Sequence, residues 1–483
     1  MTIDVSPGID PAALATCLIG GVEHAGAGSF PVVHPYSGET IGHAPLLARG
    51  EVAAALDRGA AAGPPPSRHE RSLQLERIAA RIAGSAEAVA RLITWESGLA
   101  LRDSRHEVDR AVDVFRSAAA EALRDDGGSF AGDISASGRR RRGHTLREPV
   151  ALVAAITPFN HPLNQVAHKI APAIAAGAAM VLKPSEQTPL TALWLARVLI
   201  DAGVAPDAVA IVTGDREQIL DAMLSHPAVE VVSFTGGVAT GKAIAARLGY
   251  RRAVLELGGN DPLIVLRDAD LDEAAGLAID GATRNSGQRC SAVKRVIVEE
   301  RVADALAERM VARCEALVAG DPFADATDVG TVIDEAAART IERRVGAAVA
   351  GGARLLAGGG RTGALIAPAV LDHVSPASEL VASETFGPVA PIIRVRDLDA
   401  ALEVANGTAY GLSAGVCTND LDAALRCVQE LRCGTVNVRE VPGWRTEVTP
   451  FGGIRDSGLG VKEGVVEAIR AMTNQKLYTL PWG

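Results

Sequence analysis

The sequence predicts an α/β protein with two parallel sheets, and three observations support this. Short apolar runs rich in β-branched residues alternate with helical stretches between residues 150 and 257, which is typical of a doubly wound sheet covered on both faces. The same alternation returns between residues 258 and 449, which predicts a second α/β unit. Aromatic residues make up only 3% of the chain, so we expect cores of Ala, Val, Leu and Ile around closely approaching backbones.

The chain before the first sheet is predicted to be mainly helical and then to form a small β excursion. From Pro64 to Leu123 the sequence is rich in Ala, Arg, Glu and Leu, which favours helices. Residues 124–149 are rich in Gly, Ser and Arg and contain two short extended candidates, Phe130 to Ile134 and His144 to Arg147. The run Arg139 to Arg142 could bind nucleic acid, but nothing else basic surrounds it, which favours a solvated hairpin turn.

Polar residues and glycines stand at the ends of the strands predicted for the first sheet. The carboxyl ends of parallel strands meet at one edge, where open α/β sheets bind ligands, so we expect these residues to line one crevice. The predicted strands are Val150–Ile156, Ala179–Leu182, Ala208–Val212, Val231–Phe234 and Ala253–Leu257. The residues that follow or close them are Asn160, Lys183, Gly214, Thr235, Gly236, Gly237 and Glu256.

The second unit has its own apolar landmarks, and an extended tail follows it. The tail, Leu477 to Pro481, is a short strand that needs a neighbour, and we expect another subunit to cover its edge. The landmarks of the second unit are Val293–Val298, Val389–Val395, Gly411–Cys417 and Gly434–Val438.

Composition argues against several classes of protein. The net charge of −10 has the wrong sign for a general binder of nucleic-acid phosphates. The longest apolar tract, Ile170 to Leu182, is interrupted by Pro172 and Gly177 and is shorter than the ~18 residues of a membrane-spanning helix. The first ten residues lack the basic and apolar regions of a secretory signal. The six cysteines form no CxxC pair, so we expect no disulfide framework, no metal site and a cytoplasmic location.

Cys290 and Glu256 are candidate catalytic residues on chemical grounds. A lone cysteine is usually a small buried hydrophobe, but Gly287 allows a ligand to approach Cys290, and Arg289 could favour the thiolate or bind an anionic substrate. A carboxylate at the position of Glu256 is either paired at the rim of the crevice or held with a raised pKa as a general base. The segment Ser233 to Lys242 leads from a strand into a helix and could present N–H groups to an anion, although a tight turn explains it equally well.

Eight motifs in a fixed order resemble those of the aldehyde dehydrogenase superfamily. They extend over most of the chain, and the 34 residues from Glu256 to Cys290 also resemble the spacing in that family. Two positions depart from the common pattern, since TPFNHP replaces PWNFP and Gly237 stands where many members have Ser. The motifs are Asn160 in TPFNHP, Lys183-Pro184-Ser185-Glu186, FTGG, ELGGN, GQRC, ETFGPV from Glu384, Asn406 with YGLS from Tyr410, and PFGG from Pro450 with Ser457-Gly458.

The resemblance implies hydrolytic, NAD-dependent oxidation of an aldehyde to a carboxylic acid through a cysteine thiohemiacetal and thioester. It implies that Cys290 is the nucleophile, Asn160 the oxyanion donor and Glu256 the base that activates water. A CoA-acylating dehydrogenase would not need that base, and a catalytically silent binding protein would not need the three residues together. Both readings stay open as alternatives.

The resemblance further implies a homodimer or homotetramer whose chain has three parts. The parts are an NAD-binding domain of residues 1–123 and 147–256 with 450–469 returning to it, a catalytic domain of residues 257–449, and oligomerisation strands within 124–146 and 470–483.

NAD is the implied cofactor, with NADP less preferred. Lys183 and Glu186 would hold the adenosine ribose, and the carboxylate would repel a 2′-phosphate. Gly236 would lie near the pyrophosphate, Glu384 would bind the nicotinamide ribose, and Phe386 would pack near the nicotinamide. The implied cofactor contacts are Thr157, Lys183, Glu186, Gly214, Thr235, Gly236, Gly241, Glu384 and Phe386.

Three segments, TPFNHPLNQVAHKIAP, NSGQRCSAVKR and TVNVREVPGWRTEVTPFGG, resemble family members that oxidise phosphonoacetaldehyde to phosphonoacetate. His161, Arg289 and Arg445 adjoin the oxyanion residue, the nucleophile and the PFGG motif, and Arg110 is a fourth candidate contact for a multiply charged phosphonate. Structural alternatives exist, since Arg110 could pair with Glu107, Arg445 could be solvated and His161 could be a satisfied turn residue. Succinate semialdehyde and sulfoacetaldehyde, which carry other anionic groups, stay as alternative substrates.

Overall fold

The computed structural model describes residues 8–482, and its first part is four short strands followed by four helices. These elements are β1 (Cys17–Ile19), β2 (Val22–His24), β3 (Ser29–Val33), β4 (Thr40–Pro45), α1 (Arg49–Ala60), α2 (Arg68–Gly84), α3 (Ala86–Ser97) and α4 (Leu101–Ala122). Helix α2 begins at a capping box, in which Ser67 Oγ accepts the Glu70 N–H and the Glu70 carboxylate accepts the Ser67 N–H at 2.8 Å. Helix α3 ends at Gly98, whose φ of 71° suits a residue without a Cβ. Helices α2 to α4 confirm the helical prediction for this part of the chain.

The first large sheet has five parallel strands in the order β11-β10-β7-β8-β9. Its strands and helices, which follow two short strands β5 (Ser129–Ala131) and β6 (Arg141–Pro149), are β7 (Leu152–Ile156), α5 (Asn164–Ala176), β8 (Ala179–Lys183), α6 (Leu190–Asp201), β9 (Val209–Ile211), α7 (Arg216–Ser225), β10 (Val229–Thr235), α8 (Val238–Ala245) and β11 (Arg252–Glu256). All five predicted strands are present, each within two residues of its predicted ends. The strand order reverses between β7 and β10, so a crevice opens there at the carboxyl ends of the strands.

The second large sheet has seven strands in the order β14-β17-β18-β13-β12-β19-β20, and β14 alone is antiparallel to its neighbour. Its elements, with a two-stranded hairpin β15–β16, are β12 (Pro262–Val265), α9 (Leu271–Thr283), β13 (Arg295–Glu299), α10 (Glu300–Glu315), α11 (Glu335–Ala350), β14 (Arg354–Ala357), β15 (Arg361–Thr362), β16 (Leu365–Ile366), β17 (Ala369–Asp372), α12 (Glu379–Ala382), β18 (Val389–Val395), α13 (Leu398–Asn406), β19 (Ser413–Cys417), α14 (Leu421–Glu430) and β20 (Thr435–Val438). Its two faces are packed with Ala, Val, Leu and Ile, as the low aromatic content predicts. The structure thus confirms the α/β class with two units.

A third, three-stranded sheet in the order β21-β6-β5 contains the tail. After helix α15 (Val465–Ala471), strand β21 (Thr473–Pro481) is longer than predicted and pairs antiparallel with β6 of its own chain, from Thr473 opposite Pro149 to Pro481 opposite Arg141. One edge of β21 is therefore covered from within the chain, and cover of its other edge by another subunit stays a prediction. The arginine run is not wholly a turn, because Arg141 and Arg142 belong to β6. No helix within residues 8–482 is both long and apolar enough to span a membrane.

Candidate active site

Cys290 lies at the end of a sharply bent loop between α9 and β13. Asn285 and Ser286 have left-handed backbone angles, with φ of 59° and 53°, and Gly287 follows with φ of 70°. A side chain at Gly287 would place its Cβ 2.2 Å from the Gly387 carbonyl oxygen, so the loop requires glycine there. Left-handed conformations cost free energy in residues with a Cβ, so other contacts must hold this loop in place.

Two side chains from the first half of the chain hold the bend. The Asn285 N–H donates to the buried Asp103 carboxylate of α4 at 2.9 Å, and Asn285 Nδ2 donates to the Asn160 carbonyl oxygen at 2.9 Å. In return Asn160 Nδ2 donates to the Gln288 carbonyl oxygen at 2.8 Å. Because an amide nitrogen carries two hydrogens, Asn160 Nδ2 keeps one N–H that this bond does not use. These bonds join the carboxyl ends of the first sheet to the loop before β13 of the second.

The Cys290 thiol is protonated in the resting site. Burial, followed by the negative charge of Glu256, raises its pKa to about 12, and the ammonium of Lys294 opposes this rise. A thiol held in this state needs a proton acceptor or a cation brought in by ligands before it attacks.

Glu256 is a buried carboxyl group held near its point of half-protonation. Burial and the neighbouring Glu463 raise its pKa to about 8, and its Oε1 has no hydrogen-bond partner within the described residues. Lys169 contacts the Glu463 carboxylate and donates to Thr235 Oγ1 at 2.8 Å, so a cation lies behind the pair of carboxyl groups. Glu256 can therefore both accept and release a proton at ordinary pH, as a general base must.

The residues predicted to contact the cofactor lie around the crevice beside β7, β8 and β10. Lys183 Nζ donates to Glu186 Oε1 at 2.8 Å, and the buried Thr157 Oγ1 has no partner among residues 8–482. At the start of α8 a Cβ on Gly241 would lie 2.3 Å from Leu257 Cδ2, so this helix packs closely against the end of β11. Gly214 has a φ of 152°, and a Cβ there would lie 2.8 Å from the Leu47 carbonyl oxygen, so this position requires glycine.

The N-terminus of α8 opens on this crevice and has no side-chain cap, because Gly237 occupies the capping position. Space around Gly237 is open, whereas a Cβ on Gly236 would lie 2.6 Å from Phe234 Cζ. Free N–H groups at a helix start attract a pyrophosphate. The uncapped helix, the unpaired Thr157 hydroxyl and the Lys183–Glu186 pair together fit a dinucleotide.

Glu384 and Phe386 lie on the second sheet's side of the crevice. The Glu384 carboxylate accepts the Gly259 N–H at 3.1 Å and pairs with Lys294 Nζ at 3.1 Å. Phe386 packs edge-on against Phe159, with ring centroids 5.9 Å apart. Lys294 is a site residue that the sequence analysis missed. Its position four residues after Cys290, before a β-branched run, was the available signal.

A cavity of about 660 Å³ brings together the four candidate substrate residues. Arg110, His161, Arg289 and Arg445 all line it, and Asn285 and Arg289 connect it to the loop that carries Cys290. Arg445 stacks on Phe451 with its guanidinium carbon 4.0 Å from the ring centre. Its Nη1 and the Nε of Arg289 are buried and have no partner among the described residues. Buried N–H donors without acceptors are costly, so the cavity favours an anionic ligand.

Arg110 pairs with Glu447 and not with Glu107, the partner that helical spacing suggested. Arg110 makes a two-pronged contact with Glu447, at 2.7 Å from Nε and 3.2 Å from Nη2, while Glu107 accepts the Leu163 and Asn164 N–H groups. Glu447 also bonds the buried His168 Nε2 at 2.7 Å. The sequence analysis missed Glu447, and nothing local marks it, because its partners lie 279 and 337 residues away.

The structure also departs from the alternatives that Arg445 is solvated and that His161 is a satisfied turn residue. Arg445 is half-buried rather than solvated, and His161 Nδ1 lies 3.5 Å from Glu107 Oε2 without a hydrogen bond. Arg289 bonds the Gly281 carbonyl oxygen at 2.7 Å, so part of its guanidinium serves the loop itself.

The sequence pattern of the aldehyde dehydrogenase family matches residues 22–478. The chain belongs to the aldehyde dehydrogenase family. It is 36% identical over 451 residues to sulfoacetaldehyde dehydrogenase from Neptuniibacter caesariensis, covering 93% of this chain and 98% of that one. It is 37% identical over 452 residues to aspartate-semialdehyde dehydrogenase 1 from Pseudomonas canavaninivorans, covering 93% and 96%.

The fold of the family is shared as well. The crystal structure of NADP-dependent glyceraldehyde-3-phosphate dehydrogenase from Bacillus halodurans C-125 complexed with NADP superposes with a TM-score of 0.94 and 36% identity, covering 97% of this chain and 99% of that one. The aldehyde dehydrogenase resemblance and fold are confirmed, and the protein is an NAD(P)-dependent enzyme acting on an aldehyde. Within residues 8–482 no group of three or more His, Cys, Asp or Glu side chains is arranged to hold a metal ion.

Proposed function

We propose that this aldehyde dehydrogenase oxidises a short anionic aldehyde, phosphonoacetaldehyde, to its carboxylic acid and prefers NAD. The observation that carries the anionic substrate is the pair of buried, unpartnered donors, Arg445 Nη1 and Arg289 Nε, on one cavity. An ionised oxygen would satisfy both donors with charge-assisted hydrogen bonds, which a neutral aldehyde cannot do.

The phosphonate is favoured by the number of donors and by the three resembling segments. A phosphonate presents three oxygens and up to two charges, and Arg110, Arg289 and Arg445 line the same cavity. Relatives named for sulfoacetaldehyde, 3-sulfolactaldehyde and aspartate semialdehyde act on aldehydes that carry a sulfonate or a carboxylate, which supports an anionic substrate, whereas other relatives are named for lactaldehyde, which is neutral. Sulfoacetaldehyde is the second candidate, because one of these relatives is named for it.

The proposed chemistry assigns one task to each catalytic side chain. Cys290 Sγ attacks the aldehyde carbon after its proton has left, and the Asn160 amide stabilises the oxyanion of the thiohemiacetal. NAD, when bound in the crevice, supplies the acceptor for the hydride that leaves that carbon. Glu256 then takes a proton from water, which attacks the thioester and releases the carboxylic acid and the thiol.

A panel of aldehydes tests the proposed substrate. We expect kcat/KM, measured from NADH absorbance, to be highest for phosphonoacetaldehyde, lower for sulfoacetaldehyde and succinate semialdehyde, and lowest by roughly 10² or more for a neutral aldehyde of similar size, since each charge-assisted contact contributes ~1.5–3 kcal/mol. If sulfoacetaldehyde leads, the second candidate replaces the first. A neutral aldehyde used as well as the phosphonate would contradict the anionic substrate altogether.

The preference for NAD rests on the Glu186 carboxylate, which pairs with Lys183 at 2.8 Å. A 2′-phosphate beside this carboxylate would meet like-charge repulsion, so we expect kcat/KM for NAD to exceed that for NADP at least about tenfold. Glu186→Gln should narrow this ratio mainly through the KM for NADP, while the exposed Glu217→Gln serves as a matched control with the parent ratio. An equal or better kcat/KM with NADP in the parent enzyme would show that Glu186 does not face the ribose.

A further inference from the structure

The Lys294 ammonium group is buried beside the nucleophile and contacts three oxygen atoms. Its side chain is only 2% exposed, and Nζ donates to the Arg289 carbonyl oxygen at 2.8 Å and to the Cys290 carbonyl oxygen at 2.6 Å, and pairs with Glu384 Oε1 at 3.1 Å. An ammonium group has three N–H donors, and here two of them donate to backbone carbonyl oxygens while the charge is paired with a carboxylate. A buried lysine with these three contacts holds its partners in a fixed arrangement.

One of these partners belongs to the peptide that carries the Cys290 N–H. The Arg289 carbonyl oxygen also accepts the Ala292 N–H at 3.2 Å, so two donors hold it. The Arg289–Cys290 peptide is trans, and in a trans peptide the C=O and N–H bonds point in opposite directions. Holding the oxygen on Lys294 therefore turns the Cys290 N–H to the other side, where it has no acceptor within residues 8–482.

We propose that Lys294 is a positioning residue that fixes and polarises the Arg289–Cys290 peptide, so that the Cys290 N–H is a ready donor to the substrate oxyanion beside Asn160. A cation on a carbonyl oxygen strengthens the N–H of the same peptide as a donor. A donor aligned before the reaction needs no reorganisation when negative charge develops. This inference rests on the proposed function, because it requires attack by Cys290.

The third contact links the same ammonium to the cofactor side of the crevice. Glu384 balances the Lys294 charge and also accepts the Gly259 N–H at 3.1 Å. Loss of Lys294 would leave the Glu384 carboxylate without its cation, so a change in NAD-dependent turnover alone cannot separate the two contacts. The test therefore needs a reaction that forms an oxyanion on Cys290 without cofactor.

Hydrolysis of 4-nitrophenyl acetate is such a reaction. Cys290 Sγ forms a bond to the acetyl carbon, 4-nitrophenolate leaves, the thiol proton passes to solvent, and water then releases acetate and restores the thiol. The tetrahedral intermediate carries its negative charge where the aldehyde adduct would. Alkylation of Cys290 by iodoacetamide uses the same thiolate but forms no oxyanion. Its rate therefore measures the reactivity of the thiolate without the contribution of the oxyanion donor.

We expect Lys294→Met to lower the acylation rate with 4-nitrophenyl acetate by about 10- to 100-fold, somewhat less than the ~10²–10³ that follows removal of an oxyanion donor. Lys294 also lowers the pKa of Cys290, so the alkylation rate should fall too. The fold loss in alkylation should be at least about ten times smaller than the fold loss in acylation. Lys294→Arg, which keeps a cation and several N–H donors, should retain more acylation than Lys294→Met. The exposed Lys476→Met, far from the site on β21, is the surface control and should match the parent in both reactions.

Three results would overturn the proposal: parent-like acylation in Lys294→Met, equal losses of acylation and alkylation, or equal losses in Lys294→Met and Lys294→Arg. Each would mean that the ammonium does not align the oxyanion donor. Cys290→Ala measured in parallel separates this inference from the proposed function. If Cys290→Ala still oxidises aldehydes, the proposed nucleophile is refuted. If Cys290→Ala is inactive but Lys294→Met is acylated at the parent rate, only the role of Lys294 is refuted.

Discussion

Replacement of Cys290 by alanine will abolish NADH formation, and replacement of Glu256 by glutamine will leave a single burst of NADH per active site. Without a thiol no covalent adduct forms, so we expect a loss of at least about 10⁴-fold in kcat. With Glu256→Gln the thiol still attacks and hydride still leaves, but the thioester is hydrolysed slowly because no base activates water. Rapid mixing with NADH absorbance measures burst and steady state in one trace. A parent-like steady-state rate in Glu256→Gln would remove the base assignment.

The pH dependence of the steady state belongs to the same experiment. Glu256 works as a base only when deprotonated, and its pKa is raised to about 8 by burial and by Glu463. Where deacylation limits turnover, kcat should therefore rise with pH up to about 8 and fall roughly tenfold for each unit below about 7. This slope should vanish in Glu256→Gln. The same slope in the parent and in the variant would assign the titration to another group.

Removal of the Arg445 side chain will selectively weaken the use of anionic aldehydes. Its buried Nη1 lacks a partner within the described residues, so a substrate oxygen is the acceptor we expect it to meet. Loss of one charge-assisted contact costs ~1.5–3 kcal/mol, so Arg445→Ala should lower kcat/KM for phosphonoacetaldehyde by roughly 10- to 150-fold. The neutral aldehyde should lose much less, because only the packing of Arg445 on Phe451 changes for it. The ratio of the two kcat/KM values is the measurement.

Arg445 is a cleaner probe than Arg289, because Arg289 also bonds the Gly281 carbonyl oxygen and supports the nucleophile loop. Arg289→Ala should therefore lower turnover of both kinds of aldehyde. The exposed Arg354→Ala on β14 is the matched control and should keep the parent ratio. Equal losses for the phosphonate and the neutral aldehyde in Arg445→Ala would argue that Arg445 has a purely structural task.

The sequence predicted the sheets well because parallel strands buried on both faces are continuous apolar runs with recognisable ends. The same rule predicted that Asn160, Lys183 and Glu256 share one edge, since a chain leaving a parallel strand always emerges at the carboxyl end. Glu447 and the partner of β21 could not be predicted this way. Their contacts join segments hundreds of residues apart, and side-chain charge or strand propensity at one position does not specify which distant segment lies opposite.

The pairing of β6 with β21 has a consequence for synthesis of the chain. The two strands are separated by more than three hundred residues, as the Arg141–Thr479 contact with its separation of 338 residues shows. At roughly 5–20 residues per second, a ribosome that has released β6 takes about 17–70 seconds to deliver its partner. During that time one edge of β6 carries unpaired N–H and C=O groups, which invite pairing with other nascent chains. Arg141 and Arg142 at the start of β6 repel the same arginines of other copies, which disfavours pairing between nascent chains until β21 is made.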